Sequence, residues 1–134
     1  MTSWMIAACL AMAACGNKVG TPSGEKIPLG REFTLAVGQS VVVDDDVRLT
    51  LKGVSDDSRC PVDVTCVWEG DAKVAVDVIT PTPRAEHELH TTARESREAK
   101  HGAYRITLVK LEPVPRSTAT ISPGDYRATF VVVR

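Results

Sequence analysis

Ala72-Lys73-Val74-Ala75-Val76-Asp77-Val78 is the stretch that decides the fold. Ala72, Val74, Val76 and Val78 alternate with Lys73, Ala75 and Asp77. Successive side chains of a strand point to opposite faces, so this run has one buried and one wet side. The same period of two recurs on both sides of it. Upstream, Val47, Leu49 and Leu51 alternate with Arg48, Thr50 and Lys52. Downstream, Tyr104, Ile106 and Leu108 alternate with Arg105 and Thr107, and Tyr126, Ala128, Phe130 and Val132 alternate with Arg127 and Thr129. Residues 33–37 and 40–43, separated by Gly38-Gln39, add two candidates, and residues 87–92 a weaker seventh. About seven short strands bounded by turn residues predict an all-β fold, an antiparallel immunoglobulin-like β-sandwich with polar or covered edges.

Residues 91–101 compete with that pattern. Ala93, Glu95, Arg97, Glu98, Ala99 and Lys100 favour helix but form no sustained apolar stripe, which predicts a solvated loop or one or two helical turns. Asp44-Asp45-Asp46 stands between two apolar runs and reads as a hairpin turn, with calcium coordination as the alternative use of three carboxylates. Pro123-Gly124-Asp125-Tyr126 opens the last strand. There a Tyr can bury its ring and bond its hydroxyl to upstream backbone, as tyrosine corners do.

The four cysteines divide the chain into compartments. Residues 1–14 carry no charge, and Trp4, Met5, Ile6, Ala7, Ala8, Leu10, Ala11 and Met12 make an apolar block that contains Cys9. A membrane-spanning helix needs about 20 such residues. This block has the length of a signal-peptide core, with the small residues Ala13 and Ala14 before Cys15. A cysteine in that place resembles the bacterial lipobox, whose thiol is diacylated before cleavage. The match departs at Met12, where Leu is usual, and no Lys or Arg precedes the block. The expectation is a signal peptide over 1–14, a lipidated Cys15 followed by a flexible tether to residue 30, and a folded domain over 31–134. Gly16, Asn17, Gly20, Pro22, Ser23 and Gly24 bury too little surface to offset the entropy of ordering that tether. Gly16 rather than Asp after the cysteine resembles Gram-negative lipoproteins of the outer membrane. An ordinary cleaved signal would leave the protein secreted or periplasmic instead.

Cys60 and Cys66 stand together in Asp57-Ser58-Arg59-Cys60-Pro61-Val62-Asp63-Val64-Thr65-Cys66. Extended, their Cα atoms would lie about 20 Å apart, and a disulfide needs them within roughly 7 Å. A bond between them requires a sharp reversal, which Pro61 can start. Closing so short a loop contributes about 2 kcal/mol on the chain-entropy model, and an exported compartment lets it persist. The competing use is a metal site through both thiolates. That site needs further soft ligands, and His87, His90 and His101 stand in no familiar spacing with the pair. We expect the disulfide, with no metal and no cofactor. Arg59 beside Asp56 and Asp57 predicts a local ion pair that fixes the loop. Trp68 is expected to cover the disulfide and plug one end of the sandwich, with an exposed aromatic anchor as the alternative. Gly70-Asp71 reads as the turn into the next strand.

Asp57-Ser58-Arg59-Cys60-Pro61 followed by Cys66-Val67-Trp68-Glu69-Gly70 resembles a recurring group of small bacterial secreted and lipid-anchored proteins that share D-S-R-C-P, a short gap, then C-x-W-x-G. The likeness runs from about Leu35 to Val133, through Val37-Gly38-Gln39-Ser40 and Ser122-Pro123-Gly124-Asp125-Tyr126. It implies a β-sandwich and an exported state, and it implies no activity. It marks Asp57, Ser58, Arg59, Pro61, Trp68 and Gly70 as a motif loop with a structural or binding role.

Charge and motifs narrow the function classes. Lys plus Arg number 16 and Asp plus Glu 17, a balance that argues against nucleic acid as a partner. No G-x-S-x-G elbow or paired-histidine signature is present. The expectation is a non-catalytic envelope lipoprotein, an interaction module held to a membrane by its N-terminal lipid and contacting an envelope protein or wall component. A small-ligand or calcium-binding protein is the second reading, and an enzyme with an unfamiliar site the third.

Overall fold

The computed structural model describes residues 26–81, 84–92 and 94–134. The expected signal peptide, Cys15 and residues 16–25 of the tether lie outside them. Nine strands form: β1 (Lys26–Ile27), β2 (Phe33–Ala36), β3 (Ser40–Val43), β4 (Val47–Ser55), β5 (Lys73–Ile79), β6 (Ala85–His90), β7 (Glu98–His101), β8 (Tyr104–Glu112) and β9 (Arg127–Val133). They make a five-stranded sheet, β1-β3-β4-β5-β6, and a four-stranded sheet, β2-β9-β8-β7. All pairings are antiparallel except that of β1 with β3. The result is the all-β sandwich that the alternation predicts. Its layer architecture is that of immunoglobulin-like domains, while its strands largely follow chain order from β3 to β6 in one layer and β7 to β9 in the other.

The two strands beyond seven correct the sequence reading. Lys26–Ile27, placed in the tether, pairs with Val42 and Val43, and Gly30 N–H donates to the Val132 carbonyl at 2.8 Å. The tether therefore joins the domain before residue 30. Two residues are too few to show any period. Residues 98–101, expected in a loop or helical turn, form β7 because β8 supplies a ladder of partners from Tyr104 to Thr107. Tertiary pairing overrides the good local helix propensity of Glu-Ala-Lys. The one helical element among the described residues is a 3₁₀ turn, Pro123–Asp125, and no helix there is long and apolar enough to cross a membrane.

Between the sheets lie Leu35, Leu49, Leu51, Val74, Val76, Ile106, Leu108 and Phe130, all essentially inaccessible to water. Asp77, on the opposite face of β5, is also covered, because Arg84 folds over it with hydrogen bonds to both carboxylate oxygens. Asp44 and Asp45 turn the β3–β4 hairpin with φ of 49° and 64°, a left-handed conformation that Asp tolerates. Asp45 pairs with Lys26, and Asp46 accepts a bond from the Tyr104 hydroxyl at 3.4 Å.

Two register shifts prepare the end of the sandwich that carries the cysteines. One falls between Leu51 and Gly53 in β4, the other between Leu108 and Lys110 in β8. Each adds a residue to one strand and so resets which side chains face inward. Leu111 is buried three residues after Leu108 for this reason. Both strands leave the sheets toward the same loops.

Candidate functional site

Asp56, at φ 48°, turns the chain out of β4. The segment that follows pairs with the segment entering β5. Ser58 N–H donates to the Asp71 carbonyl at 2.7 Å, and Cys60 N–H to the Glu69 carbonyl at 2.9 Å. The Ser58 hydroxyl adds a bond to the same Asp71 carbonyl and accepts one from the Asp71 amide. This short ladder brings the cysteines together, and the Cys60–Cys66 disulfide closes the loop with Cα atoms 6.0 Å apart. Gly70 lies flat against the opposing strand. A Cβ there would stand 2.7 Å from the Ser58 carbonyl carbon and 2.8 Å from the Arg59 Cα, and its φ of +71° already favours glycine.

Asp57 and Arg59 form the ion pair expected of them. Arg59 Nε and Nη2 each donate to one oxygen of Asp57 at 2.8 Å, a bidentate geometry. The same guanidinium donates to the carbonyls of Leu111 and Pro113 at 3.0 and 3.1 Å. Tyr126 completes the group. Its ring is buried as predicted, but its hydroxyl donates to the Asp57 carboxylate at 2.8 Å rather than to backbone. A carboxylate is the stronger acceptor, and the turn after β4 delivers one to that spot. Burial pushes the Asp57 carboxyl up, but bonds from Arg59 and Tyr126 outweigh it and hold the group below its ordinary 3.8. Burial, then the bond to Asp57, raises the Tyr126 phenol above 10.0. Asp57, Arg59 and Tyr126 thus tie the motif loop to the exits of β8 and the entry of β9.

The other side of the loop is tied to β6. Asp71 accepts from the Thr91 and Thr92 amides at 3.0 and 3.2 Å and lies 2.6 Å from His90 Nδ1. The burial of its carboxyl, which would raise it, is outweighed by His90 and these amides, and it too sits below 3.8. The Thr92 hydroxyl donates to Glu69. His90 Nε2 faces the exposed Glu88 Oε1 at 3.3 Å. Through Asp71 this histidine braces the loop end.

Beside the exposed Asp63, Thr65 and Glu69, this framework presents a set of apolar side chains to solvent. Val62, Val64, Val67 and Trp68 are exposed on the cysteine loop and Val114 beside it, where Val62 N–H donates to the Pro115 carbonyl at 3.0 Å. Trp68 does not plug the sandwich. It is 43% exposed, with the Arg94 guanidinium 5.6 Å over its ring. The ladder between residues 58–60 and 69–71 seals that end with backbone, so the indole is left outside. Pro61 starts the loop's reversal, and Val64 N–H donates to its carbonyl at 3.3 Å. A shallow cavity of about 230 Å³ lies between Arg59, Val62, Glu69, Val114 and Pro115. Among the described residues no group of three or more His, Cys, Asp or Glu side chains is placed to hold a metal ion.

Comparison with known protein families, with curated proteins and with solved structures finds no match for the chain. The structure brings together Asp57, Ser58, Arg59, Cys60, Pro61, Cys66, Trp68 and Gly70, the whole predicted motif loop apart from the separate Cys15. Sequence reasoning missed Asp71, His90, Thr91 and Thr92 as its second support, and Val114 as part of its apolar surface. Asp71 read as a turn residue, and nothing in the local pattern of 90–92 reveals a partner 20 residues upstream.

Proposed function

We propose that the protein is a non-catalytic module of the bacterial cell envelope that docks an envelope protein or wall component through the cysteine loop. In this reading Cys15 carries the lipid that tethers it, to the outer membrane on the evidence of Gly16. One observation carries the docking surface. Of the six large hydrophobic side chains exposed among the described residues, Val62, Val64, Val67, Trp68 and Val114 share one end, and Ile79 alone stands elsewhere. Exposed apolar groups scattered singly need no explanation, whereas a cluster on a rigid loop marks a contact surface. The disulfide, the ladder and the Asp57–Arg59–Tyr126 group fix that loop before any partner arrives, which lowers the ordering cost of association. Trp is also the residue type most enriched among binding anchors.

Photo-crosslinking in intact envelopes tests the reading. A crosslinking residue at Val67 should capture one defined envelope component, and the same residue at Ile79 should not. Equal labelling from both positions, or none from either, would reject the loop as the docking surface. Mass spectrometry of the mature protein should show a diacylated N-terminal Cys15, and an unmodified chain beginning at Met1 would reject the tether.

A further inference from the structure

His87 and His101 come from different layers of the sandwich. β6 is the last strand of one sheet and β7 the last of the other, and the two share no ladder. On β6, Ala85, His87 and Leu89 lie opposite Val78, Val76 and Val74 of β5, so His87 takes an inward slot between apolar neighbours. On β7, Ala99 and His101 lie opposite Ile106 and Tyr104 of β8. The two imidazoles meet edge to face, planes at 89° and centroids 5.3 Å apart. His87 Nε2 is 3.1 Å from His101 Nδ1, and His101 Nε2 is 3.0 Å from the Thr80 hydroxyl. His101 is buried, at 6% exposure.

We propose that this pair is an acid-sensitive latch across the β6–β7 seam, closed by a neutral or singly protonated pair and opened by the second proton. Counting hydrogens gives the reason. In the neutral pair one ring donates and the other accepts, and the tautomer of His101 sets whether its Nε2 donates to the Thr80 hydroxyl or accepts from it. With one added proton on the pair, one facing nitrogen still accepts from the other ring, and the bridge becomes charge-assisted. With two, both facing nitrogens carry hydrogen, neither accepts, and two positive charges stand 3.1 Å apart. Separating the rings relieves that state, and the rings belong to separate sheets.

Charged groups of both signs stand around the pair. Val76 faces His87 from β5. On the His101 side, a cavity of about 200 Å³ is lined by Asp46, Thr80, Tyr104 and Arg134, so one carboxylate and one guanidinium oppose each other there. The Tyr104 hydroxyl is bonded to that Asp46, and Arg134 lies over the Tyr104 ring. Glu86 and Glu88 on β6, and Glu98 and Lys100 on β7, alternate to the exposed faces. Burial first, and then the charge of His101, holds His87 below its ordinary 6.5. A base depressed in the folded state contributes stability that is complete above 6.5 and is lost as pH falls through the folded value.

The test is a pH series from 8 to 4 on the full chain, reading imidazole nitrogen shifts and amide exchange by NMR. The two rings should titrate in two coupled steps. Amides of β6 and β7 should lose protection with the second, about tenfold for each pH unit by which that step lies below 6.5, while β4 and β9 hold. His87→Leu should abolish the acid loss. His87→Gln, which keeps a donor toward His101 but takes no proton, should do the same if the Leu variant does not fold. Seam protection that stays flat with pH in the wild type, or an unchanged acid loss in the folded variant, would overturn the latch.

Discussion

Leu49, Val76 and Phe130 lie between the sheets with no contact to water, and none carries a polar group that needs a partner. Asp57 and Arg59, at the end of the same sandwich, have side chains only 15% and 11% exposed and share a web of hydrogen bonds that reaches Leu111, Pro113 and Tyr126. The first region is held by non-directional burial, spread over many residues and tolerant of exchange among apolar side chains of similar volume. The second is held by directional contacts, in which each partner specifies the others and a lost partner leaves a covered charge. The body of the molecule sets whether it folds, and the end sets what shape the loop presents.

Removing bulk from the body should produce the largest effect. Phe130→Ala empties the centre of the core beside Phe33 and should cost about 3–5 kcal/mol, read as a shift of the whole cooperative unfolding transition in urea. Asp57→Asn should cost about 2 kcal/mol, because Arg59 keeps its cover but loses its counter-charge, and Tyr126 loses its ionic acceptor. It should also alter the acid limb. Since the Asp57 carboxyl is held below 3.8, its contribution is complete above that pH and disappears as pH falls through the folded value. Chemical denaturation between pH 6 and 2 should therefore show a shallower acid loss in the Asn variant than in the wild type. Parallel acid limbs would mean that Asp57 and Arg59 do not act as a pair, and the contrast between the two regions would fail.

The same contrast decides what was legible from the amino-acid order. The body announces itself because burial follows the strand period, and β4, β5, β8 and β9 match runs read directly from alternation. That legibility stops at the two register shifts, where Leu108 and Leu111 break the period and a third dimension is needed to see why. β7 was hidden because Glu98-Ala99-Lys100 favours helix and becomes strand only beside β8. At the end of the molecule, the disulfide and the Asp57–Arg59 pair were visible as neighbours in sequence. Their ties to Leu111, Pro113 and Tyr126, 52 to 69 residues away, were not. Trp68 was misplaced because aromatic side chains are usually covered in small domains, and only the backbone ladder around Gly70 shows that this end is already sealed.

Trp68 gives the sharpest separation of stability from presentation. It stands on the rigid end but belongs to neither the core nor the polar web, and the Arg94 guanidinium lies over its ring. An exposed cation–π pair contributes about 0.5–1 kcal/mol, and a surface substitution outside caps and networks usually changes stability by less than about 0.5 kcal/mol. Trp68→Ala should therefore leave the stability read from urea denaturation within about 1 kcal/mol of wild type. The same change should remove most of the crosslinking captured from the neighbouring Val67 position, because it deletes the largest apolar group on that surface. A destabilisation of 2 kcal/mol or more would instead place the indole among the supports of the loop. Unchanged capture with unchanged stability would move the contact surface onto Val62, Val64 and Val114.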